Sequence, residues 1–175
     1  MQTEDYARAL MRGAVPPLSQ DAIEKYVTTR LRRQEILTRA DPPKFHAVVD
    51  EAAFHRLPGS PDMMAAQLNR IIDHSRLDSV TVQVLPFKTG PQPGSDSTFA
   101  ILDYATPVLS STVYVETLAG NLYLERETDL AVYQRVFSRL CELALSPEDT
   151  VSFLRDMLRT YSRLGVASRP SRGTR

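Results

Sequence analysis

Val80-Thr81-Val82-Gln83-Val84-Leu85 is a β-branched, alternating run stopped by Pro86, and it reads as a strand. A strand cannot bury itself, so its neighbour has to be found elsewhere in the chain. Upstream, Phe45 to Val49 is a second apolar, β-branched run. Between the two, Ser60-Pro61-Asp62 offers an N-cap, a proline at the first helical position and an acid behind it. Met64, Leu68, Ile71 and Ile72 then recur at helical spacing as far as about Ser75. A strand–helix–strand unit of this kind is most often parallel and right-handed.

The later half has another rhythm. Phe99 to Tyr104, Thr112 to Thr117 and Leu122 to Glu125 are short strands with tight links, and Ala119-Gly120-Asn121 is a turn signal. Such strands pair antiparallel as a meander. Before the first strand, Thr3 to Gly13 reads as a short helix stopped by Gly13 and Pro16-Pro17. Ser19 caps a second helix reaching about Arg39, with Ile23, Val27 and Leu31 inward. The other face of that helix bears Lys25, Arg30, Arg32, Arg33 and Arg39, either a solvated face or a docking face for an acidic partner. After the meander, Leu130, Tyr133, Phe137, Leu140 and Ala144 form one stripe, with Phe137 at its centre. Val151, Leu154, Leu158 and Tyr161 form another, after Ser146-Pro147-Glu148-Asp149. The short link between them predicts an antiparallel helix hairpin.

The expected fold class is therefore α+β. It has a small mixed sheet of about five strands, a parallel strand–helix–strand unit plus an antiparallel meander. Two N-terminal helices and a C-terminal helix hairpin accompany it. Residues 1–164 are expected to form one sensor-like domain, and residues 165–175 a disordered, Arg-bearing tail. Lys88 to Ser97, rich in Gly, Pro and Ser, is expected to be a mobile loop of the kind that covers sites.

Composition narrows the function classes. The 175 residues carry 21 basic and 21 acidic side chains. All the acids precede Gly165, whereas Arg169, Arg172 and Arg175 follow it, so residues 1–164 are net acidic. Specific nucleic-acid binding by this chain is not expected. No apolar run reaches the ~18 residues of a membrane span, and the acidic start Met1-Gln2-Thr3-Glu4-Asp5 does not read as a signal peptide. A cytoplasmic location is expected. Cys141 stands alone, which excludes an internal disulfide and a multi-thiolate metal site. No phosphate-cradling glycine loop, serine-nucleophile elbow or zinc spacing is present, so neither cofactor nor metal is expected.

Candidate site residues come from scattered polar positions. Glu51 and His55, four apart on a helix, form either a local ion pair or a proton-transfer pair. Glu51 also stands where it could cap that helix. Tyr114 and Glu116 alternate with valines, and Tyr123 and Glu125 alternate with leucines. A hairpin would bring all four to one face. That face is either a solvated exterior or a platform for a cationic or hydroxylated ligand. His46 and His74 read as structural, and Cys141 as a buried, inert thiol.

The ordered segments QTEDYARAL, RLRRQEILTRADPP, VVDEAAFHR, VTVQVLPF, VYVETLAGNLYLE and YQRVFSRLCELALSPED resemble an actinobacterial family. It is a domain of unknown function that follows an XRE-type helix-turn-helix in antitoxin-like transcriptional regulators. Three lysines against 18 arginines agree with such a source. The resemblance implies a regulator in which the helix-turn-helix contacts DNA while this domain binds a small molecule or a small partner protein. No helix-turn-helix is recoverable within residues 1–175, and a stand-alone or N-terminally truncated copy is expected. Gln92 departs from the resemblance, which implies a position where relatives often carry His. Asp50, Glu51, Glu116 and Glu125 match its motif positions as candidate site or structural residues. The rival expectation is a stand-alone enzyme of small-molecule metabolism using carboxylates as acid and base. A homodimer through the terminal helix hairpin is the third.

Overall fold

A computed structural model describes residues 1–94, 98–105, 110–117 and 120–167. These fold into two compact units: Met1–Val84 with the chain from Ser146 onward, and Leu85–Leu145.

In the first unit, α1 (Glu4–Arg12) and α2 (Gln20–Gln34) are capped by Thr3, whose side chain accepts from the Tyr6 N–H, and by Ser19, which accepts from that of Ala22. Their apolar stripes meet at Ala7, Ile23 and Val27, flanked by Met11, Leu18 and Leu31. α2 ends sooner than expected, giving way to a 3-10 turn over Glu35–Thr38. β1 (Phe45–Asp50) and β2 (Val80–Leu85) form a two-stranded parallel sheet. The crossover runs through the short helix α3 (Ala52–His55) and α4 (Pro61–His74). Ser60 caps α4 as its position suggested, accepting from the Met63 N–H, and Met64, Leu68, Ile71 and Ile72 are buried.

The last helix of the described chain, α6 (Pro147–Ala167), packs on α4. Ser146 accepts from the Asp149 N–H at its start. Three interactions fix it. The Thr150 hydroxyl, fully buried, accepts from the Val84 N–H at 3.0 Å. The Tyr161 hydroxyl donates to the Phe54 carbonyl at 2.7 Å. Phe153 meets Phe54 edge-on at 6.3 Å. The expected boundary at residue 164 is corrected. Gly165 is helical and buried, and a Cβ there would run into the Asp62 carboxylate. The glycine leaves room beside α6 for the Asp62 carboxylate. The rest of the expected tail, residues 168–175, lies outside the described residues.

In the second unit, β3 (Thr98–Leu102), β4 (Thr112–Thr117) and β5 (Gly120–Leu124) form an antiparallel meander in the order β3-β4-β5. Phe99 pairs with Val115, which pairs in turn with Leu122. α5 (Glu127–Leu143) packs on the face bearing Phe99 and Val115, with the Phe99 and Tyr133 rings 5.0 Å apart. Val113 and Val115 are buried beneath it. The loop before β3 touches this helix too: a Cβ on Gly94 would stand 3.3 Å from Val136 and 3.6 Å from Leu140.

The α+β class and, among the described residues, the five strands, two parallel and three antiparallel, are as expected. The strands form two sheets, however, and the two C-terminal helices serve different units. α5 covers the meander, whereas α6 packs on α4. Phe137, at the centre of the α5 stripe, is only partly buried. No residue of α5 is fully buried.

Candidate functional site

The strand register settles which candidates share a face in the second unit. Tyr114 stands opposite Tyr123, and Glu116 opposite Asn121. The two tyrosine rings are 5.4 Å apart and tilted by 57°. On β3 the same face bears Thr98, Ala100 and Leu102, opposite Glu116, Tyr114 and Thr112. Glu125 follows directly on the last residue of β5, and its parity continues the face of Tyr123. Glu116, Asn121, Tyr123 and Glu125 are exposed, and Tyr114 is half-buried. The strand positions of this face include one carboxylate, Glu116, and no lysine or arginine; Glu125 lies just beyond the end of β5. This is the side of the sheet turned away from α5. Asn121, opposite Glu116, was not singled out in the sequence, because only the register makes it a neighbour.

The first unit holds the other two candidates. His55 Nε2 lies 3.1 Å from Glu51 Oε1, with the Glu51 side chain mostly buried and that of His55 about half exposed. The four-residue spacing therefore does produce a contact. Glu51 does not cap α3. Asp50 does so instead, its Oδ1 accepting from the Ala52 N–H at 2.8 Å. The capping signal was present in Asp50, one residue earlier. The Glu51–His55 pair belongs to one unit, and Tyr114, Glu116 and Glu125 to the other.

His46 and His74 have structural explanations. His46 Nε2 lies 2.7 Å from Gln83 Oε1 across β1 and β2. His74 is buried, and its Nδ1 donates to the Arg70 carbonyl at 2.8 Å. Burial lowers its pKa and raises that of the Cys141 thiol. A shallow cleft of about 430 Å³ lies along α2, with Glu4, Glu24, Arg32 and Glu35 at its rim. Arg8 bridges Glu4 and Glu24 at 2.5 and 2.9 Å. Its hydrogen bond holds the Glu24 carboxyl below the usual range. The described residues contain no cluster of three or more metal-ligating side chains and no helix long and apolar enough to cross a membrane.

The model of a protein family described as a domain of unknown function (DUF5753) matches residues 1–156. Comparison with curated proteins and with solved structures finds no match.

Proposed function

The chain belongs to the DUF5753 family of domains of unknown function, and from that premise we propose that it is a regulatory binding module. In this reading it is the ligand- or protein-binding part of a cytoplasmic, antitoxin-like regulator of the XRE helix-turn-helix kind, from an actinobacterium. Binding is carried by the meander face of Tyr114, Tyr123, Glu116 and Glu125. The supporting observation is the tyrosine pair, 5.4 Å between rings, with Tyr123 exposed and Tyr114 half-buried, on a face whose strand positions carry the Glu116 carboxylate and no basic side chain. Aromatic faces attract cations by about 0.5–1 kcal/mol at exposed sites. A hydrogen bond to a carboxylate adds about 1.5–3 kcal/mol. Together they favour a ligand or partner side chain that presents a guanidinium or ammonium group.

The test is an NMR titration of the full chain with N-acetyl-arginine amide, with N-acetyl-alanine amide as control. Arginine amide should shift the amides of residues 112–116 and 120–124. The shifts should weaken with salt and in Glu116→Gln. Absence of such shifts, or shifts indifferent to Glu116→Gln, refutes the assignment.

A second reading, an acid–base enzyme of small-molecule metabolism, is favoured by the 3.1 Å contact of Glu51 with His55. It requires a turnover by the full chain that Glu51→Gln abolishes without loss of fold.

A further inference from the structure

β5 is an edge strand that lacks the usual protections of an edge. Among the described residues it pairs with β4 alone. Its sequence, Gly120-Asn121-Leu122-Tyr123-Leu124, contains no charge and no proline. Natural sheets blunt such edges with lysine, proline, bulges or a covering element, because a bare edge is a template for another strand. Here Gly120 to Tyr123 are all exposed. Leu122 is 53% exposed and Tyr123 63% exposed, on opposite faces of the sheet. Leu122 stands opposite Val115, which is buried. The apolar face covered by α5 thus continues outward to Leu122 and ends there uncovered.

We infer that β5 pairs with β5 of a second copy of this chain, antiparallel about a two-fold axis at Leu122. This register overlaps all five residues. It sets Gly120 opposite Leu124 of the second copy, Asn121 opposite its Tyr123, and Leu122 opposite its Leu122. Residues paired in this way share a face, so leucine meets leucine on the side of α5 and extends the apolar surface under it. The same register keeps the carboxylates apart. Glu125 passes beyond the end of the facing strand, and Glu116 sits one strand further in. A charged partner strand would find no opposite charge on β5 itself. An uncharged strand that is self-complementary about its middle residue fits a copy of itself. A five-residue edge buries less than the ~800 Å² per partner of a standard interface, so the pairing is concentration-dependent. It does not rest on the cation-binding reading, because it is argued from Leu122, which faces away from Tyr114.

Sedimentation velocity of the full chain over a concentration series into the millimolar range tests this. The parent should pass from monomer to dimer, and the amides of residues 121–123 should gain protection from hydrogen exchange along the same series. Leu122→Lys and Leu122→Glu should each remain monomeric, because like charges then face each other across the axis. Mixing the two variants should restore the dimer, with lysine facing glutamate. A parent that stays monomeric throughout overturns the inference. So does a dimer that survives both substitutions, or a mixture that stays monomeric. Protection of residues 121–123 that does not change with parent concentration overturns it without recourse to a variant.

Discussion

Thr150→Val tests the contact that joins the start of α6 to β2. Thr150 has no exposed surface, and its hydroxyl accepts from the Val84 N–H at 3.0 Å. Val84 is equally buried, so water cannot replace the lost acceptor. Valine has nearly the shape of threonine, and both are β-branched with similar helix propensity. The substitution therefore leaves packing in place and orphans one backbone donor. An unsatisfied buried donor costs about 1–3 kcal/mol. At about 2–4 °C per kcal/mol for a chain of this size, the loss is visible in a melting curve. Thr150→Ser separates the hydrogen bond from the methyl group. It keeps the acceptor and loses one buried methyl, about 1 kcal/mol. Urea denaturation of both variants, with hydrogen exchange at Val84, is the assay. Thr150→Val should expose the Val84 amide to exchange, whereas Thr150→Ser should keep it protected. A Thr150→Val variant within about 0.5 kcal/mol of the parent, with Val84 still protected, would show that the hydroxyl is not the acceptor that matters.

The elements were legible where local chemistry decides them. Ser19, Ser60 and Ser146 each accept from a backbone N–H at a helix start, as their positions before apolar stripes indicated. The β-branched runs became strands, and the tyrosine alternation put Tyr114 beside Tyr123. What was not legible depends on long-range choice. Strands with identical local patterns can add to one sheet or divide between two, and contacts such as Thr150 to Val84, 66 residues apart, decide this. Gly165 opens a polar stretch without apolar periodicity, and only the packing shows it inside α6, beside the Asp62 carboxylate. At Asp50-Glu51 two adjacent carboxylates competed for one capping role, and only the geometry gives it to Asp50 and leaves Glu51 for His55. Of the candidate site, the shared face followed from strand alternation, whereas the pairing of Glu116 with Asn121 needed the register.

Three further outcomes follow from the same contacts. Asp50→Ala should cost about 0.5–2 kcal/mol through loss of the α3 cap, whereas Glu51→Gln should leave that cap in place; chemical denaturation that finds Asp50→Ala neutral would show that Asp50 does not cap α3. Tyr161→Phe should destabilise by about 1–2 kcal/mol, because it leaves the Phe54 carbonyl without the donor it has at 2.7 Å; an unchanged denaturation midpoint would show that carbonyl to be hydrated. The third concerns pH and His74. Burial is the main force lowering the His74 pKa. The hydrogen bond to the Arg70 carbonyl opposes it, the Arg70 charge and the amino group of Met1 reinforce it, and Asp73 opposes it weakly. A histidine with a lowered folded-state pKa binds more protons when unfolded than when folded. Its contribution is whole above the unfolded value of about 6.5 and is lost as pH falls through that value toward the folded one. Between pH 8 and pH 5 the melting temperature of the parent should therefore fall relative to that of His74→Gln. A gap that stays constant across that range would mean that protonating His74 costs the folded chain nothing.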